Sequence, residues 1–241
     1  MNIIKSLPIL KLTLDKSLMT YFMNFGEPKD LYSSIWYIEG PKEKIIVDTG
    51  GDARTTSGHG FPSLQINTPE NALGEIGLKP SDIDILILTQ MHLDHVEFAR
   101  EFKNAKIIVQ RKEYDFAMNP HEAWAGTYIK DMFKDLTNFE CVEGDEDIAE
   151  GVKVLDTPGH TPGGQSVAVT TVKGTAIICG LCTIKDNFYP LGDLTGAGVI
   201  TPGIHTNAID AYDSVKRIKE LADIPIPLHD KEYAYNRTIP G

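Results

Sequence analysis

The chain has 241 residues, of which 41% are hydrophobic, and a formal net charge of -11 at pH 7. This length suits one large domain, and since no linker, repeat or low-complexity run is present, we expect residues 1–241 to form a single domain. The acidic net charge argues against nucleic acid as a partner. No apolar stretch approaches the ~20 residues that cross a membrane, so no membrane span is expected. The few cysteines and the lack of a signal peptide predict a cytoplasmic location.

The first half of the chain is predicted to place strands before its first helix. Strands are expected over residues 9–14, 18–24, 34–38 and 43–47, and a polar loop over residues 50–65. Thr68 suits a helix N-cap, Pro69 the first helical position, and Gly77 the end of that helix. The apolar run at residues 83–88 is typical of a buried strand, and it leads directly into residues 90–95.

The second half of the chain alternates predicted strands and helices. Strands are expected over residues 106–109, 152–155, 165–171, 175–179 and 224–227, and helices over residues 113–118, 123–133 and 207–222. Residues 190–206 are expected to form a glycine-rich loop. Because two sets of strands are each followed by helices, we predict an α/β fold of two packed sheets with helices on the outside.

A cluster of His92, Asp94 and His95 follows the predicted strand at residues 83–88. Imidazole and carboxylate groups bind borderline metals such as zinc, and a tight turn can direct them at one or two ions. The alternative is that Asp94 caps the start of a helix. This cluster alone leaves both interpretations open.

His160 lies in a loop made rigid by Pro158 and Pro162, with three glycines around them. A rigid loop that presents one imidazole suits a metal ligand better than an incidental turn. His229 follows the predicted strand at residues 224–227, and on its own it would be interpreted as a surface residue.

Cys182 stands at the exit of the predicted strand at residues 175–179 and three residues after Cys179. A structural zinc site would need a second pair of ligands, and no other cysteine pair exists. The alternatives for Cys182 are a metal ligand and a small buried hydrophobe, and we expect the first. His205 is a further candidate for the cleft.

Together these residues resemble the metallo-β-lactamase superfamily. The matching elements are Asp48-Thr49-Gly50, a variant of the His-x-His-x-Asp-His motif at residues 90–95, His160, a ligand at position 182, and His229. The stretches at residues 157–163 and 185–188 are similar to those of N-acyl-homoserine lactonases. The resemblance implies an αββα sandwich with a metal site at one edge of the two sheets.

Two positions depart from the family pattern. Gln90 replaces the first histidine, and an amide oxygen is a poorer zinc ligand than imidazole. The usual bridging aspartate is replaced by Cys182, or by Gly180 if the loop is shifted. The resemblance therefore implies one or two zinc ions. It assigns the ligands to a weakened first site (Gln90, His92, His160) and a tighter second site (Asp94, Cys182, His229, with His95 close by).

The resemblance implies a metal-dependent hydrolase that attacks a cyclic ester or amide with metal-activated hydroxide. Asp94 would bind metal and orient or deprotonate the water. Lys185 would hold a carboxylate of a small-molecule substrate, with His205 as a second substrate-binding residue. The alternatives are a thiolester hydrolase of the glyoxalase II type and a catalytically degenerate protein that binds a metal or small ligand. A homodimer is left open.

Overall fold

The first seven strands lie in one sheet of the computed structural model, which describes residues 1–191, 196, 198–236 and 238–240. The strands are β1 (Ile3–Asp15), β2 (Pro28–Glu39), β3 (Ile45–Val47), β4 (Ser63–Gln65), β5 (Ile85–Ile87), β6 (Lys106–Gln110) and β7 (Phe139–Val142). Their order is β4-β1-β2-β3-β5-β6-β7. Strands β1 to β4 pair antiparallel, whereas β3, β5, β6 and β7 run parallel to one another.

The remaining five strands form a second sheet. They are β8 (Glu146–Ala149), β9 (Val152–Asp156), β10 (Gln165–Thr171), β11 (Gly174–Ile178) and β12 (Ile224–Ile226), in the order β12-β11-β10-β9-β8. All neighbours are antiparallel except β11 and β12, which are parallel.

Seven helices accompany these strands in the described part of the chain. They are α1 (Ala53–Gly58), α2 (Pro69–Gly74), α3 (Leu93–Val96), α4 (Arg111–Met118), α5 (Lys185–Phe188), α6 (Ala208–Leu221) and α7 (Lys231–Tyr235). Thr68 caps α2 through its side chain, as predicted. None of the described helices is long and apolar enough to cross a membrane.

Three buried clusters define the layers of the fold. Trp36 and Ile85 of the first sheet pack against Val167 of the second, which forms the core between the sheets. The opposite face of the first sheet packs against α2 and α4, and the opposite face of the second sheet packs against α6. The order of layers is helices, sheet, sheet, helices, so the predicted αββα sandwich is confirmed.

Several local predictions differ from the structure. Residues 18–24, predicted as a strand, form a turn in which Phe22 and Asn24 have φ values of 60° and 57°, which no strand accommodates. Residues 123–133, predicted as a helix, form turns and a 3-10 segment at Lys130–Met132. The predicted loop at residues 50–65 contains α1 and β4. Part of the predicted loop at residues 190–206, namely 192–195 and 197, lies outside the described residues.

The strand ends place the candidate site. The parallel strands β3 and β5 end beside each other, so Asp48 and the loop at residues 90–95 begin at one edge of the first sheet. The parallel strands β11 and β12 likewise end together, before Cys182 and His229. Polar residues from both sheets therefore lie at one edge of the sandwich. Ligands commonly bind at this position, beyond the carboxyl ends of parallel strands.

Candidate metal centre

Asp94, His95 and His229 form a group that could hold a metal ion. Their ligand atoms all lie within 4.8 Å of one another. The Nδ1–H of His229 donates to the Tyr32 carbonyl oxygen at 3.0 Å, which leaves its Nε2 lone pair for a ligand bond. Two imidazoles and a carboxylate suit a borderline cation with an open position.

Asp48 fixes the orientation of His95 in this group. Its carboxylate accepts from Thr89 N at 2.8 Å, from Thr89 Oγ1 at 2.7 Å and from His95 Nδ1 at 2.8 Å. The backbone of Asp48 is left-handed, with φ of 56°, a conformation that aspartate tolerates better than most residues. Gly51 completes the turn, because a Cβ at this position would stand 2.9 Å from Cα of Asp94. A carboxylate behind a histidine ligand sets its tautomer and direction, so Asp48 is a residue whose role the sequence motif alone did not assign.

The charges of the centre are strongly coupled. Burial opposes a charge on His95, but the Asp94 and Asp48 carboxylates outweigh it and raise the pKa of His95 to about 10. Burial likewise opposes the charge of Asp94, but His95 and His229 hold the pKa of Asp94 below its ordinary value. Burial lowers the pKa of His229 to about 4. A proton on His95 therefore occupies the place that a cation would take, and a bound cation would displace it.

Gln90, His92 and His160 line the other half of the site, and the Gln90 amide stands against the His160 nitrogen that would bind a second ion. The Gln90 amide lies between two imidazoles, 2.9 Å from His160 Nε2 and 3.3 Å from His95 Nε2. His160 Nδ1–H donates to Ile204 O at 2.8 Å, and burial lowers the pKa of His160 to about 4, so its Nε2 is an acceptor. The structure places Gln90 Oε1 toward His160 and its NH₂ toward His95, but two acceptors would then meet at His160 Nε2. The opposite orientation of the amide lets NH₂ donate to His160 Nε2 and lets the oxygen accept from protonated His95. In that orientation Gln90 and an ion would compete for the same lone pair of His160.

His92 is the third residue of this half of the site, and its ring packs against aromatic neighbours. The ring stacks parallel to Trp124 at 5.8 Å and meets His160 edge-on at 5.0 Å. Its Nε2 is buried and has no hydrogen-bond partner among the described residues. Burial lowers the pKa of His92 well below its ordinary value, so the ring is a neutral hydrogen-bonding group on the wall of the pocket.

The structure does not bring Cys182 into the Asp94–His95–His229 group, contrary to the expected second site. Cys182 Sγ lies 3.5 Å from Met19 Sδ, and the side chain belongs to a buried apolar cluster. Burial raises the pKa of the Cys182 thiol well above its ordinary value, and the thiolate is the form that binds metal. Gly180 is no better a place for a bridging carboxylate, because a Cβ there would overlap the Gln165 carbonyl oxygen. His95 takes the place in the group that the sequence interpretation gave to Cys182.

Lys185 and His205 lie away from the centre, contrary to the expected substrate-binding roles. Lys185 Nζ pairs with Glu232 Oε2 at 2.8 Å on the surface. His205 Nδ1–H donates to Pro202 O at 2.8 Å, and its ring meets Tyr21 edge-on. Neither is among the described residues that line the pocket.

A cavity of about 200 Å³ opens onto the metal-binding group. Its wall is largely apolar, and the residues that form it include Leu14, Met19, Leu31, Phe61, Trp124 and Ile204. Among the described lining residues the titratable ones are four histidines, Asp94 and Cys182, with no lysine or arginine. These wall residues could not be inferred from the sequence, because they come from separate segments that only the fold brings together.

The family model of the metallo-beta-lactamase superfamily matches residues 28–222. The chain belongs to the metallo-β-lactamase superfamily. The family inferred from the sequence is thereby confirmed, and this superfamily member is a metal-dependent hydrolase.

Named relatives of this superfamily member are lactonases. It is 31% identical over 228 residues to an N-acyl homoserine lactonase of a Bacillus species, across 89% of this chain and 86% of the relative. It is 29% identical over 244 residues to an N-acyl homoserine lactonase of Bacillus thuringiensis, across 94% and 92%. A solved N-acyl homoserine lactone hydrolase with N-hexanoyl-L-homoserine at its catalytic metal center superposes with a TM-score of 0.80 at 27% identity, covering 99% of this chain and 98% of the other.

Proposed function

We propose that this chain is a lactonase that hydrolyses lactones carrying an apolar acyl substituent, with one zinc ion held by Asp94, His95 and His229. The observation that carries the proposal is the juxtaposition of this group with a largely apolar cavity that has no lysine or arginine among its described lining residues. A neutral substrate with a hydrocarbon tail matches such a wall. The lactonases of Bacillus, similar along most of both chains, support the same substrate class.

Each residue of the metal-binding group, and each partner that orients it, has a separate role in such a reaction. A metal ion in this group would supply Lewis acidity for water and for the ester carbonyl. Asp48 and the Tyr32 carbonyl hold His95 and His229 in the tautomers that face the group. Asp94 has a side chain 19% exposed, against 2% for His95, so its carboxylate is the one better placed to accept a hydrogen bond from water in the pocket and orient it.

His92 is the proposed contact for an oxygen of the substrate. Its Nε2 lacks a partner among the described residues, and its ring lies on the pocket wall beside the metal-binding group. In the tautomer that is protonated at Nε2, this N–H donates to a lactone oxygen when the substrate enters, which orients the lactone without a second cation.

A chain-length series tests this proposal. Each methylene buried in the apolar wall contributes about 0.8 kcal/mol, which raises kcat/KM roughly fourfold per added methylene until the cavity is full. We expect zinc-loaded protein to hydrolyse N-acyl homoserine lactones in this pattern. A zinc-loaded protein that turns over no lactone of the series would refute the lactonase assignment.

The same assay separates the alternative functions. Glutathione thiolesters carry carboxylates, and the surface pairing of Lys185 with Glu232 leaves the described pocket wall without a lysine or arginine to receive them. We therefore expect little thiolester hydrolysis. A protein that binds zinc and an acyl lactone tightly without turnover would instead be the catalytically degenerate form that Gln90 suggests.

A further inference from the structure

Glu113 is a fully buried carboxyl group on the first turn of α4. Its Oε1 accepts hydrogen bonds from Met91 N at 2.9 Å and from Tyr128 Oη at 2.9 Å. Its Oε2 accepts from Gly163 N at 3.2 Å. Burial raises the pKa of Glu113, while these hydrogen bonds oppose the rise. Burying a carboxyl group is costly, so the arrangement calls for a reason beyond filling space.

Each of the three donors belongs to a different wall of the site. Met91 is the residue between Gln90 and His92. Gly163 follows His160 in the rigid proline-containing loop, and a Cβ at this glycine would overlap the backbone nitrogen of Glu113. Tyr128 meets the ring of His92 edge-on at 4.6 Å.

We propose that Glu113 is a positioning residue, whose single carboxylate sets the separation of the loops that carry His92 and His160. The two imidazoles share no direct hydrogen bond in the described structure and meet only edge-on, at 5.0 Å between ring centres. The two oxygens of Glu113 hold the backbone next to each of them. The catalytic meaning of this placement rests on the proposed function, in which His92 contacts the substrate.

The geometry predicts a specific defect for Glu113→Gln. Glutamine fills the same volume but offers one acceptor oxygen and one NH₂ group. Because a backbone N–H faces each oxygen of Glu113, Met91 N at Oε1 and Gly163 N at Oε2, the NH₂ group must face one of them and release that loop. Tyr128→Phe removes one donor and keeps both backbone contacts, so it should disturb His92 alone.

The matched control is Gln110→Met. Gln110 is also buried and directly precedes α4, and its side chain bonds Gly144 and Gln165 instead of the site loops. Its loss removes a comparable number of hydrogen bonds, none of which is made to residues 90–92 or 160–163.

The experiment combines imidazole ¹⁵N resonances, zinc content, melting temperature and steady-state kinetics on an acyl lactone. For Glu113→Gln we expect kcat to fall by up to about 100-fold with KM within about threefold, with zinc content retained. The resonances of His92 and His160 should shift while those of His229 stay in place. Tyr128→Phe should move the His92 resonance and lower kcat by a few-fold, which keeps the test decisive if Glu113→Gln does not fold.

A melting temperature lowered to the same degree in Glu113→Gln and Gln110→Met, with the resonances of His92 and His160 unmoved in both, would overturn the positioning role. So would equal resonance shifts in both variants. If the wild type hydrolyses no lactone, the proposed function fails, but the resonances still decide the role of Glu113.

Discussion

The amide of Gln90 stands 2.9 Å from Nε2 of His160. This contact engages the nitrogen through which His160 would bind an ion. Replacing Gln90 by histidine removes the amide and adds an imidazole. We expect Gln90→His to bind a second zinc ion at least about tenfold more tightly than the wild type, a gain of about 1.4 kcal/mol. Calorimetric titration of zinc into both proteins measures the stoichiometry and the affinity.

Gln90→Ala is the control for that substitution, because it frees His160 without adding a ligand. It should leave the stoichiometry near one ion. If Gln90→His also stays at one ion, the pocket shape and not the amide blocks the second site.

Zinc binding should release a proton from His95. The pKa of His95 is raised to about 10 by Asp94 and Asp48 in the metal-free protein, so its Nε2 is protonated at neutral pH. The apparent affinity should rise about tenfold per pH unit from above pH 4 up to about pH 10. Calorimetry in buffers of different ionisation enthalpy counts the protons, and no release at pH 7 would contradict the assignment of His95 as a ligand.

The same shift predicts how pH affects the metal-free protein. Because the pKa of His95 in the folded protein lies above the ordinary 6.5, protonation of His95 stabilises the fold. This stabilisation is complete below about pH 6.5 and is lost as the pH rises through about 10. Urea denaturation of the metal-free protein across this window should show a falling free energy of unfolding. Asp48→Asn removes one of the two carboxylates and should flatten the slope.

Cys182→Ser should retain zinc, because Asp94, His95 and His229 form the group without it. The expected cost is in stability, about 1–3 kcal/mol for a hydroxyl buried against Met19 and other apolar side chains. Elemental analysis and urea denaturation measure the two effects, with His229→Ala as the variant that should lose zinc. A thiolate-to-metal absorption band in cobalt-substituted wild type that vanishes in Cys182→Ser would restore Cys182 as a ligand.

Lys185→Ala should change KM by less than about twofold for both anionic and neutral substrates. Its ammonium is half exposed and paired with Glu232 on the surface, where ion pairs contribute little. Steady-state kinetics on a matched pair of charged and neutral lactones gives the comparison. A large rise in KM confined to the anionic substrate would place Lys185 in the site after all.

The sequence predicted the positions of the ligand loops well because strand ends determine them. The residues at 90–95, His160 and His229 each follow an apolar run that forms a strand or continues from one. Parallel neighbours end at the same edge of a sheet, so these loops meet regardless of their detailed conformation. This is why the metal-binding function could be inferred before the fold was seen.

The sequence could not predict which side chains point at one another. Cys182 and His95 are both close to the expected centre, and only the direction of their side chains decides between them. Phe22 likewise has a left-handed backbone, which residue propensity does not favour for phenylalanine, so the strand expected at residues 18–24 does not form. Such choices depend on tertiary contacts, here the packing of Cys182 on Met19 and the bond of His95 to Asp48.

The two sheets supply different members of the metal-binding group. Asp94 and His95 follow the first sheet, while His229 follows β12 of the second, so an ion bound to all three would act as a crosslink between the halves of the sandwich. Binding at 1,000 times the dissociation constant stabilises a folded protein by about 4.1 kcal/mol. The resistance of this chain to proteolysis would then increase with the free zinc concentration. Zinc deficiency would lower the amount of the protein as well as its catalytic turnover.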